Sequence, residues 1–116
     1  MAGTMNYSME VAETIREQLG GGRFVVMTGA KHFLAIDNGL RFTIPRNMSK
    51  ANRVEIVLND NDLYDIRFIY YRAGRIDIRT GKTIPDKREI IKAYDDVFCD
   101  QLQELFTSVT GMYTHF

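Results

Sequence analysis

The chain has 116 residues, 45% of them hydrophobic, with 15 basic and 15 acidic side chains, two prolines and one cysteine. That length suits one domain with a core of its own and excludes a disulfide-stapled scaffold, while Cys99, His32 and His115 are too few soft ligands for a zinc site of the Cys/His type. No apolar run reaches the roughly 18 residues that span a bilayer, and the first residues lack the basic and apolar regions of a signal peptide, so a cytoplasmic protein without membrane contact is expected.

Charge is unevenly placed along the chain: residues 1–19 sum to −2, residues 20–88 to +6 and residues 89–116 to −4. Acidic ends around a basic middle predict an electrically two-sided molecule. Over residues 8–19, Val11, Ala12, Ile15 and Leu19 recur at helical spacing, which predicts a first helix ended by Gly20-Gly21-Gly22. Residues 23–88 then read as an antiparallel meander. Segments 23–27 and 32–36 flank Thr28-Gly29-Ala30-Lys31, read as a hairpin loop, and Asn38-Gly39 reads as a type I′ turn into a strand at 40–44 that Pro45 stops. Residues 53–59 alternate, Asp60-Asn61-Asp62 turns the chain, and 63–71 gives the longest strand. Ala73-Gly74 leads into a sixth strand at 75–79, with Ile76 and Ile78 facing inward.

Asp86 with Glu89 three residues on forms a capping box. From there Ile90, Ile91, Tyr94, Val97, Phe98, Leu102, Leu105, Phe106 and Val109 recur every three to four residues, predicting one long final helix capped at Gly111. The pair Asp95-Asp96 leaves open a strand at 88–94, with the helix starting near Asp95. The fold expected is α+β: a two-layer sandwich, an antiparallel meander of about six strands flanked by an N-terminal and a C-terminal helix packed on one face.

Few residues gather into chemistry. Gly81-Lys82-Thr83 lacks the earlier glycine and the helix that a phosphate loop requires, and Asp60, Asp62 and Asp65 lack the glycine and glutamate of a calcium loop. Neither histidine stands in a metal or catalytic spacing, and Cys99 reads as an inert side chain beside the last apolar stripe. No catalytic residue, metal ligand or cofactor is assigned. Two binding surfaces are. The turn Thr28-Gly29-Ala30-Lys31 could present backbone N–H groups to an anion or acidic partner, with Lys31 and Arg23 adding charge. Its plain reading is a turn glycine and a solvated lysine. The outward sheet face would carry Arg41, Arg67, Tyr71, Arg75 and Arg79, joined by Arg46, Lys50 and Arg53, a combination that suits single-stranded nucleic acid. Glu55, Asp65 and Asp77 would share that face and favour ordinary ion pairing.

Several motifs resemble a family of small proteins from bacteriophages and integrative elements. They are Gly21-Gly22-Arg23-Phe24 leading to Met27-Thr28-Gly29-Ala30-Lys31, then Asn38-Gly39-Leu40-Arg41-Phe42, Leu58-Asn59 with Asp62-Leu63-Tyr64-Asp65, and Thr110-Gly111-Met112-Tyr113-Thr114. The resemblance spans nearly the whole chain apart from residues 74–94. It implies a mobile-element origin and brings no activity, cofactor or catalytic residue with it. The function expected is therefore that of a non-enzymatic protein acting through a protein partner, such as a host defence or replication component. The alternative is a single-stranded nucleic-acid module, and a homodimer through a sheet edge is a further partner expectation.

Overall fold

The computed structural model describes residues 2–114, with side chains from Met9 onward. Helix α1 (Ala2–Leu19) is followed by a second helix, α2 (Gly21–Thr28), and then by strands β1 (Lys31–Ile36), β2 (Gly39–Thr43), β3 (Arg53–Leu58) and β4 (Tyr64–Arg72). A small ribbon comes next, β5 (Arg75–Ile76) with β6 (Thr83–Ile84). Strand β7 (Lys87–Val97), a 3-10 turn (Cys99–Gln101) and helix α3 (Leu102–Thr110) complete the chain. The main sheet has five antiparallel strands in the order β1-β2-β3-β4-β7. The helices, from both ends of the chain, cover one of its faces. This is the expected α+β arrangement.

The covered face follows from period-two alternation. Leu40 and Phe42, Val54 and Ile56, and Ile66 and Phe68 project to the same side and are buried. Ile15 and Leu19 of α1, Phe24 of α2 and Leu102 and Phe106 of α3 close over them, each fully buried. Phe106 meets Phe24 edge-on at 5.0 Å and lies 6.3 Å from Phe68, while Phe24 meets Phe42 at 5.4 Å. Edge-to-face contacts of this kind add about 0.5–1.5 kcal/mol each to the burial of the rings. A polar tie reinforces the same junction: Gln103 Nε2 donates to the carbonyl of Gln18, and Thr114 Oγ1 donates to Gln103 Oε1, both at 3.2 Å.

Four expectations are corrected. Residues 23–27 are helix and not strand, because Phe24 and Thr28, one turn apart, are the buried pair and Gly29 (φ 71°) ends the segment as a left-handed cap. The hairpin at 37–39 turns on Asp37 and Asn38, with Asn38 at φ 56°, and Gly39 already pairs with Ile36. What demands glycine at 39 is space, since a Cβ there would stand 2.3 Å from the carbonyl oxygen of Ile56. The sixth expected strand shrinks to Arg75–Ile76 in the ribbon, and Ile76 and Ile78 face solvent instead of the core.

The long final helix is the fourth correction. Residues 87–97 form the strand that pairs with β4, and the helix begins only at Leu102; the alternative strand at 88–94 is thus extended at both ends. Strand β7 carries one extra residue between the partners of Phe68 and Ile69 and another between those of Tyr64 and Ile66. These bulges turn Ile91, Tyr94 and Val97 to the core side at intervals of three. That spacing imitates a helix. Among the described residues no helix is long and apolar enough to cross a membrane. His115, one of the soft ligands counted from the sequence, lies outside the described residues.

Two substitutions test this packing. Phe106→Ala is expected to cost about 3–5 kcal/mol by loss of the buried ring. Gly39→Ala is expected to cost about 1–3 kcal/mol by forcing β2 away from β3. Urea denaturation of both variants against the parent measures each.

Candidate nucleic-acid interface

An antiparallel sheet sends alternate connections to opposite ends, so the charge of each connection decides the charge of the end it lands on. At the end where β1, β3 and β7 begin and β2 and β4 finish stand Lys31, Arg46, Lys50, Arg53, Arg72, Lys87 and Arg88, together with Arg75, Arg79 and Lys82 of the ribbon. Asp77, Asp86 and Glu89 stand among these ten, and Glu55 on the outer face reaches Arg88. At the other end stand Asp37, Asp60, Asp62, Asp65, Asp95, Asp96 and Asp100, and residues 57–66 and 93–104 contain no lysine or arginine. The two-sidedness expected from sequence thus runs along the strands, from pole to pole. Helix α3 follows the same axis, with Asp100 just before its start and Glu104 in its first turn, next to the positive end of its dipole.

The acids of the basic pole are already engaged. Asp86 accepts a hydrogen bond from the Gly74 amide through Oδ1 and from the Tyr71 hydroxyl through Oδ2, the latter at 3.1 Å, and so clamps the root of the ribbon. Asp77 Oδ1 accepts from the Arg79 amide at 3.0 Å and shapes the ribbon's tip. Glu89 faces Lys87 at 3.9 Å, a contact between two exposed side chains.

Local bonding also positions the aromatic member. Asn52 mimics a backbone unit beside β4, its Nδ2 donating to the Tyr71 carbonyl and its Oδ1 accepting from the Tyr71 amide, both at 2.8 Å. Tyr71 is thereby held where the guanidinium of Arg53 lies over its ring, 4.0 Å from the centroid. Arg53 is thus held over the ring, with no carboxylate within ion-pair distance among the described residues. On the other side of the sheet end, an open groove of ≈ 680 Å³ has Arg46, Lys50, Tyr70, Lys87, Glu89 and Ile91 in its lining.

Of the residues singled out from the sequence, Arg41, Arg67 and Tyr71 do share the outward face; Arg41 and Arg67 both stand beside Glu55 in the pairing register. Arg67 is committed elsewhere. Its guanidinium contacts Asp95 at 2.9 Å and the carbonyls of Ile66 and Tyr94 at 3.2 and 3.3 Å. Glu55 pairs with Arg88 at 3.0 Å, and Asp65 accepts from Asn59 Nδ2 and from the Asp96 amide. Arg75 and Arg79 are not on this face but on the ribbon beyond it. Arg72, Lys82, Lys87 and Arg88 were missed as site residues, since a helix starting near Asp86 would have carried Lys87 and Arg88 away from the sheet.

The turn at 28–31 is a helix cap and not a hairpin loop. Its amides are used internally: Gly29 N–H donates to the Val25 carbonyl at 2.9 Å and Ala30 N–H to Thr28 Oγ1 at 3.2 Å, while Thr28 Oγ1–H donates to the Phe24 carbonyl at 2.7 Å. Thr28 is buried, and Arg23 and Lys31 are exposed at opposite ends of this segment. Only Lys31 falls at the basic pole. At the acidic pole, burial pushes the Tyr64 hydroxyl above its usual value, with the neighbouring Cys99 thiol adding to the effect. Cys99 itself is exposed on the 3-10 turn.

Comparison with protein families, with characterised proteins and with solved structures finds no match to this chain.

The clamp at the ribbon's root has its own consequence. Asp86→Ala is expected to speed amide exchange across residues 75–84 while lowering global stability by about 1 kcal/mol at most. Hydrogen exchange by mass spectrometry, read alongside a denaturant titration, checks both halves of this outcome.

Proposed function

We propose that the protein is a non-enzymatic nucleic-acid-binding module of bacteriophage or integrative-element origin, acting in the cytoplasm and holding the phosphodiester backbone at its basic pole. One observation carries this reading: ten basic side chains collect at one end of the sheet, where Asp77 and Asp86 are engaged with the ribbon and its root, and Glu55 and Glu89 pair with only Arg88 and Lys87 of the ten. A zero net charge is no obstacle to it, because the compensating acids stand at the far end, beyond a screening length of about 8–10 Å at ordinary ionic strength. The Arg53–Tyr71 pair adds a flat surface suited to a base or a sugar.

The acidic pole favours a second reading, contact with a protein of basic surface such as a host defence or replication component. The two readings use different ends of the molecule. Pairing between copies would use the outer edges of β1 and β7, and the irregular registers and charged side chains on both strands work against it.

Fluorescence anisotropy with labelled single-stranded DNA, single-stranded RNA and duplex DNA tests the leading reading. Saturable binding is expected to weaken roughly hundredfold when salt rises fourfold, as about four phosphate contacts would require. The doubly substituted variant Arg72→Glu, Arg75→Glu is expected to lose it, both residues being exposed and outside the core. Binding that ignores salt, or none to any of the three, refutes the reading and leaves the acidic pole as the working surface.

A further inference from the structure

The ribbon between β4 and β7 exposes two large aliphatic side chains among arginines, one of them the most exposed of the large hydrophobics among the described residues. Ile78 at its tip is 95% exposed and Ile76 on β5 is 68% exposed. The arm is nonetheless ordered by its own bonds. Asp77 N–H donates to the Lys82 carbonyl at 2.8 Å, Gly81 N–H to the Asp77 carbonyl at 2.7 Å, and Gly81 takes φ 71° where a side chain would be strained. With Asp86 fixing the root and Asp77 the tip, Ile78 is presented on a preorganised support, and the ordering cost of using it has already been met within the fold.

Leaving isoleucine in water forgoes the roughly 1.5–3 kcal/mol that burying such a side chain yields, so the placement asks for an occupant. Its charge surroundings say which. Arg72, Arg75, Arg79 and Lys82 flank the two isoleucines, and the arm's two carboxylates are engaged internally. Arginine predominates over lysine here, as suits insertion into a narrow, strongly negative groove. The positive surface also continues from the arm to Arg53 and Lys87 at the sheet end, giving a phosphate backbone somewhere to run after it leaves the tip. A bilayer would draw mainly on the apolar area of the tip, and two isoleucines are little area for that.

We infer that the β5–β6 ribbon is a DNA-bending arm: it enters the minor groove of duplex DNA, the arginines contact the flanking phosphates, and Ile78, backed by Ile76, wedges between adjacent base pairs and kinks the helix. Wedging by an apolar side chain from the minor groove unstacks one base step and lets a bent duplex meet more of the protein. This rests on the nucleic-acid reading above and specifies its ligand.

The test is an end-labelled duplex of about three helical turns, read at once for affinity by anisotropy and for bending by energy transfer between its ends, with the parent and the double variant Ile76→Ser, Ile78→Ser. Both positions are solvent-exposed, and thermal unfolding confirms that the variant keeps the parent's fold. Expected is an energy-transfer increase on binding of the parent, and a variant that binds roughly tenfold more weakly without bringing the ends together. Equal bending by both proteins overturns the arm while leaving the basic pole as a binding surface. So does binding of single strands with no binding to duplex. If the parent binds no nucleic acid and instead sediments with vesicles containing phosphatidylglycerol, in a manner lost in the variant, both readings fail and the arm belongs to an anionic lipid surface.

Discussion

The interlock of Phe24, Phe42, Phe68 and Phe106 is the contact on which the remaining arrangement depends. It joins two helices to two strands, and each of the four rings is fully buried. Because Phe42 and Phe68 take the inner side of β2 and β4, the pleat sends Arg41 and Arg67 to the outer side, and register does the same for Arg53 and Glu55 on the strand between them. Because α2 and α3 both contribute a ring, the helical layer is tied to the sheet from opposite ends of the chain. The outer face and the two sheet ends are then free to carry charge without disturbing the core.

From that frame the polarity follows by parity. Connections that leave the sheet at one end are rich in lysine and arginine, and those at the other are rich in aspartate. A chain with no net charge thereby acquires two oppositely charged poles separated by the length of the strands. Such a distribution steers a charged partner toward one end and repels it from the other, without the excess charge that usually marks nucleic-acid proteins. The long β4–β7 pair carries the basic pole outward into the ribbon, where Asp86 ties root to sheet through Gly74 and Tyr71.

Much of the sheet was legible in the sequence. Alternation at Val54 and Ile56 and at Ile66 and Phe68 located β3 and β4 to within a residue, and the turn residues at 60–62 marked the break between them. The charge blocks did not show the axis of the polarity, since Asp37, Asp60, Asp62 and Asp65 of the basic middle block stand at the acidic pole. What escaped reading has physical causes. The run Val25-Val26-Met27 looks like a strand, and its helix is visible only through the i, i+4 pair Phe24 and Thr28 with Gly29 as a left-handed cap. In β7 two bulges convert period two into period three, so that Ile91, Tyr94 and Val97 counterfeit a helical stripe. That single error moved Lys87 and Arg88, two of the ten basic residues of the pole, off the sheet. Sequence alone also could not show that Arg67 is spent on Asp95 and two carbonyls, while Arg53 lies over the ring of Tyr71.

The central claim is that the end of the sheet around Arg53, Tyr71 and residues 72–88 is the working surface. Backbone amide chemical shifts of the isotopically labelled protein, followed while a short DNA duplex is added, test it most directly. The account predicts shifts concentrated at residues 53, 71 and 72–88, with residues 59–65 and 95–100 unmoved. Shifts centred on the aspartate-rich end, or spread over α1 and α3, would contradict it.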